Sequence, residues 1–185
     1  MMRRLIRAWD RLVRKLLAIR PVREGGVLGY SLRRYPGRGL ETATGARLRR
    51  GDLVLELHLD SRLLAESAAG DTAHKRILRL RRILLEDLKA LARQVEADPR
   101  LAAAAGLWGL TLLHRGVGFL GFTVAEPDPG TGGRLATWYM RLLLTAYHPE
   151  GEDRLQHREE ELIAREIFLP MAEFRARYGS RARGG

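Results

Sequence analysis

No cysteine occurs among the 185 residues. That excludes disulfides, thiolate metal sites, cysteine nucleophiles and iron–sulfur clusters, and it suits a reducing compartment. Asparagine is missing too, and glutamine occurs only at Gln94 and Gln156. Lysine is confined to Lys15, Lys75 and Lys89, so the rest of the 33 basic residues are arginine. Few thermolabile amides and many charges suit a thermophilic source. No apolar run approaches the ~20 residues that a membrane-spanning helix needs. Arg7, Asp10, Arg11 and Arg14 interrupt the basic N-terminus before a signal-peptide core can form. No export signal is read, and a cytoplasmic setting, extending to the inner membrane surface, is expected.

What is present points to an ordinary folded chain. Hydrophobic residues make up 45% and charged residues 30%, which is globular composition. The length fits one domain with a helical appendage, and no cofactor is implied. The expected division is a basic amphipathic helix over 1–20, one α+β domain over 21–179, and a disordered tail over 180–185. The net charge of +11 favours anionic partners.

Periodicity orders the chain. Leu5, Ile6, Trp9, Leu12, Val13, Leu16 and Leu17 recur at helical spacing, with Arg3, Arg4, Arg7, Arg11, Arg14 and Lys15 on the other side. That arrangement fits either docking on the domain's own sheet or contact with an anionic membrane surface through residues 3–19. A strand is predicted over 26–34. Thr44-Gly45 marks a turn between two short extended pieces. Residues 53–59 alternate, with leucines on one side and Glu56 and His58 on the other. Asp60 or Ser61 is placed to cap a short helix to Ala68. A long helix is predicted from 71 or 72 to about 97, with Ile77, Leu80, Leu84, Leu88 and Leu91 as its buried stripe. Asp98-Pro99 opens another helix, to about Ala105. Strands are expected over 107–113, 121–124 and around 166–169, with a turn at 114–120. A helix is expected over 134–147, and a last one between Pro170 and Gly179. The architecture predicted is a small mixed or antiparallel sheet with helices packed mainly on one face.

Chemical motifs are sparse. The five histidines form no HxH, HxxH or HExxH pattern, so no metal site is predicted. Gly130-Thr131-Gly132-Gly133 lacks the Lys-Ser/Thr of a phosphate-binding P-loop. No G-x-S-x-G nucleophile elbow exists. The arginines at 76, 79, 81 and 82, and at 47, 49 and 50, would suit phosphate contacts, yet no nucleic-acid-binding motif accompanies them. Glu86, Asp87 and Glu96 dilute the positive face further along that helix. Nucleic acid is therefore the weaker partner reading.

The candidates for a polar ligand site are His58, His114, Arg115, His148 and Glu150, because they fall at strand and helix ends. Asp60 is a further neighbour for His58. If catalysis occurs, His148, Glu150 and His114 are the acid–base candidates. An anionic or glycan-type ligand suits this set, with Arg115 meeting its oxygens.

Short motifs also carry a resemblance. They are Arg34-Tyr35-Pro36-Gly37, the Leu55–Leu59 strand, Arg115-Gly116, Leu120-Gly121-Phe122-Thr123-Val124, Tyr147-His148-Pro149-Glu150-Gly151, Glu166-Ile167-Phe168-Leu169 and Tyr178-Gly179. Together they resemble the YkoP-like family, across nearly the whole chain. That family is bacterial, found mainly in spore-forming Firmicutes, alone or attached to polysaccharide deacetylase domains. The resemblance carries over no catalytic residue. It implies the stand-alone form of the domain and a cell-envelope or glycan context.

Overall fold

Period-two alternation places successive side chains on opposite faces of a strand, and the chain uses this to give its sheet two unlike sides. The computed structural model describes residues 18–60, 63, 73–111, 114, 116–126 and 164–180, with the side chains of 73, 74 and 76 excepted. In chain order the elements are β1 (Arg20–Pro21), β2 (Leu28–Arg34), β3 (Leu40–Glu41), β4 (Arg47–Leu48), β5 (Leu53–Leu59), α1 (Ala73–Ala97), α2 (Pro99–Ala102), β6 (Gly106–Thr111), a 3-10 turn (Val117–Leu120), β7 (Thr123–Ala125), β8 (Arg165–Pro170) and α3 (Met171–Tyr178). The chain is an α+β fold. Its sheet has the order β1-β2-β5-β6-β8-β7, and β3 and β4 form a separate hairpin. The pair β5–β6 is parallel, joined through α1 and α2, and the other pairs are antiparallel.

One face is apolar and covered by helices. Leu28, Tyr30, Leu55, Leu57, Leu107, Ile167 and Leu169 from the strands pack against Leu88, Leu91, Ala92 and Val95 of α1 and Phe174 and Tyr178 of α3. Fully burying a side chain of that size contributes about 1.5–3 kcal/mol, so this layer dominates the apolar stabilisation. Leu55, Leu57 and Leu59 point into it, as their alternation requires.

The second face carries its own core. Tyr35, Leu40, Leu48, Val54, Trp108 and Phe168 form a cluster beneath the β3–β4 hairpin. The rings of Tyr35 and Trp108 meet edge to face, with centroids 5.4 Å apart. Glu166 is buried here. Its Oε2 accepts hydrogen bonds from the Tyr35 hydroxyl at 2.8 Å and Trp108 Nε1 at 3.2 Å. The side of the sheet that carries Glu56 and His58 is therefore not polar throughout: the hairpin seals part of it with aromatic packing.

Local signals produce local structure at several points. The turn at Thr44-Gly45 closes the hairpin, with Gly45 at φ +80°, a conformation other residues adopt only under strain. Asp98 caps α2 by accepting from the Arg100 amide at 2.9 Å, and Pro99 follows at the first helical position. That helix stops at Ala102 rather than Ala105. The Ala105 backbone is drawn into the sheet, donating to Leu53 O at 2.8 Å and accepting from Met171 N at 2.9 Å. Pro170 ends β8 and caps α3, which closes at Gly179.

Two features of α1 depart from the sequence reading. Asp87 is fully buried rather than on a solvated face. Its Oδ2 accepts from the amides of Val27 at 2.8 Å and Leu28 at 2.9 Å, and its Oδ1 forms an ion pair with Arg23. A side chain at Gly26 would collide with this carboxylate, which explains the glycine. At the other end, Ile77 was expected to lie in the buried stripe but is exposed. The stripe becomes core only from Leu84 onward.

Ala18 and Ile19, the last two residues of the helix predicted at 3–19, are not helical. The rest of that helix and the predicted helix at 134–147 lie outside the described residues. So do most of the short helix expected to end at Ala68 and the last two residues of the strand expected over 107–113. Among the described residues, no helix is long and apolar enough to cross a membrane.

Candidate functional site

Beyond the hairpin, the second face presents a polar cluster built by strand register. Ser31 on β2 lies directly opposite Glu56 on β5, and Gly29 lies opposite His58. Alternation puts Arg33 on the same side as Ser31, and His58 on the same side as Glu56. The four side chains converge on one atom. Glu56 Oε2 accepts from Arg33 Nη1 at 2.9 Å and lies 3.4 Å from both Ser31 Oγ and His58 Nε2. Ser31 Oγ also approaches His58 Nε2 at 3.2 Å.

The cluster has an inside and an outside. The side chains of Glu56, His58 and Arg33 are 12%, 18% and 41% exposed. An incoming molecule would reach Arg33 first and the carboxylate last. Burial pushes the Glu56 carboxyl up, but the His58 hydrogen bond and charge and the Arg33 guanidinium outweigh it. The carboxyl is held below its ordinary 4.5. Glu56 Oε1 and His58 Nδ1 have no partner among the described residues.

This geometry limits the chemistry. A nucleophilic serine triad needs serine on one imidazole nitrogen and carboxylate on the other. Here Ser31 and Glu56 approach the same nitrogen, so Ser31 is not an activated nucleophile. A carboxylate on Nε2 does orient the ring and leaves Nδ1 for proton exchange or hydrogen bonding. Among the described residues no group of three or more acidic or histidine side chains is placed to hold a metal.

Of the residues expected in a site, His58 lies in this cluster. Asp60 is not seen in it: its Oδ1 accepts from Leu63 N at 3.1 Å, and its own amide donates to Val27 O. His114 is half-buried and follows β6, whose end lies beside the end of β5 that carries His58. Arg115, His148 and Glu150 lie outside the described residues, as do Arg3, Arg4, Arg7, Trp9, Arg11 and Arg14. Sequence reasoning did not select Ser31, Arg33 or Glu56 as site residues. The alternation of 53–59 did place Glu56 beside His58, and that was the available signal.

Comparison with known proteins decides the family. A family model, the YkoP domain, matches residues 1–178. The chain belongs to the YkoP domain family. No curated protein and no solved structure shows a significant match. The YkoP match spans both sheet faces, so the hairpin-sealed core and the Glu56 cluster fall within one family unit.

Proposed function

We propose that this YkoP domain is an accessory binding module, that its site is the Ser31, Arg33, Glu56 and His58 cluster, and that its ligand is glycan-type. The supporting observation is the convergence of Arg33, Ser31 and His58 on one oxygen of Glu56. It immobilises the carboxylate and leaves Glu56 Oε1 and His58 Nδ1 to meet a ligand. A rigid acceptor beside an imidazole nitrogen suits neighbouring sugar hydroxyls, which donate and accept at once. Arg33, the most open member, suits a carboxylate or phosphate on the sugar. A cell-envelope or glycan setting agrees with this chemistry.

The test is a titration of isotope-labelled full chain with N-acetylglucosamine oligomers and with muramic-acid-containing fragments. Amide and imidazole shifts are expected on β2 and β5, larger for the carboxylate-bearing fragments. Glu56→Gln should weaken binding about tenfold or more, the scale of a hydrogen bond to a charged group. Shifts confined to other elements, or affinity indifferent to Glu56→Gln, would discard the reading.

A second reading rests on the Glu56–His58 pair itself. A carboxylate-oriented imidazole is the apparatus of a general base, so the domain would be a small acid–base enzyme with His58 Nδ1 taking the proton. Release of product from the same oligosaccharides, abolished in His58→Gln, would favour this reading over simple binding.

A further inference from the structure

The first half of α1 combines features that a helix facing water does not need. Ile77 is 66% exposed and Leu78 is 50% exposed. Between Ala73 and Leu85 the sequence holds Lys75, Arg76, Arg79, Arg81 and Arg82 and no acidic residue. The first carboxylate is Glu86, which pairs with Arg82 at 3.3 Å and with Arg23 at 3.2 Å. The apolar and basic groups continue onto a neighbouring element. Arg81, one turn on from Ile77, lays its guanidinium over the Phe119 ring at 4.7 Å, and Phe119 is itself 41% exposed. Arg177 of α3 donates to Phe119 O at 3.0 Å, adding another cation. Arg81 thus links the exposed apolar pair of α1 to the exposed ring of the 3-10 turn, with Arg177 of α3 beside it.

We propose that this surface docks on an anionic lipid bilayer. Ile77, Leu78 and Phe119 are the groups that enter the acyl boundary. The arginines keep their heads at the phosphate level while their aliphatic stems lie along the apolar groups. Each cation held near an anionic leaflet strengthens binding, so Arg81 and Arg177 beside Phe119 add to what the apolar groups contribute. A polyanion such as nucleic acid would use the arginines but gain little from the exposed aliphatic pair. A second copy of this chain would bring like charges together. The inference is independent of the Glu56 cluster, which lies on the opposite side of the sheet from the face that α1 covers.

The full chain should pellet with vesicles of equal parts phosphatidylcholine and phosphatidylglycerol and stay in solution with phosphatidylcholine alone. The double variant Ile77→Ser, Leu78→Ser should bind about tenfold more weakly or worse, with an unchanged thermal midpoint because both groups are exposed. Arg81→Gln with Arg82→Gln should lose about fivefold for each charge. Because the chain has no cysteine, Leu78→Cys gives a unique position for an environment-sensitive dye. Its emission should shift blue on anionic vesicles, while a dye at Arg50→Cys, in the turn before β5, should not respond. Undiminished pelleting of the serine variant, or an unmoved dye at position 78, overturns the proposal and assigns any binding to another basic segment. Binding to duplex DNA without pelleting overturns it in favour of a polyanion.

Discussion

At one end of the sheet's second face Glu166 lies beneath the β3–β4 hairpin. At the other Glu56 lies between Arg33 and His58. Both are carboxylates on adjoining parts of one surface, and both gather donors on a single oxygen. They differ in who the donors are. Glu166 takes its hydrogen bonds from Tyr35 and Trp108, two rings that are themselves packed in the core. Glu56 takes its own from a half-open arginine, and its contacts from a serine and a titratable imidazole. The first arrangement ties the segment after β2 to β6 and β8 inside the core. The second leaves polar atoms over, at a place where part of the cluster meets solvent. A buried carboxylate reads as structure or as a site according to whether its partners are used up.

That contrast can be broken most directly at Glu166. Glu166→Ala should cost about 1–3 kcal/mol in urea unfolding, because it removes the acceptor of the buried Trp108 indole and one partner of the Tyr35 hydroxyl. An equal loss for Glu56→Ala would erase the distinction and make both ends structural. A pH test sharpens it further. Glu56 has its carboxyl held below 4.5 in the fold, with Ser31, Arg33 and His58 facing it, so it stabilises the protein above its unfolded value. That stabilisation is lost as pH falls through the lower folded value. Glu56→Gln should flatten this part of the acid limb when stability is followed from about pH 6 to about pH 3. The smallest effect belongs to His58→Ala. Its ring is partly exposed and no core group depends on it, so its stability change should stay within about 1 kcal/mol while ligand shifts on β5 disappear.

Much of the fold was legible because its signals are local. The alternation of Leu53–Leu59 specifies a strand and its inward face. Thr44-Gly45 specifies a hairpin turn, Asp98-Pro99 a helix start, and Pro170 the junction of β8 and α3. The candidate site was legible in only one of its four members. Nothing in the order of residues announces that Ser31 will stand opposite Glu56, since that depends on the register between β2 and β5. Asp87 misled for the same reason. Beside Glu86 it looks like a solvated charge, yet helix rotation turns it inward onto the amides of Val27 and Leu28.

Composition alone settled the lack of thiol chemistry, and periodicity settled the strand over 53–59 and the helix over 73–97, because both depend on residues close together in the chain. Tertiary structure alone decided which carboxylates would be enclosed, where the apolar stripe of α1 would leave the core, and which strands would neighbour each other. Those outcomes turn on distances between residues as much as 131 positions apart, as between Tyr35 and Glu166, and only packing sets such distances.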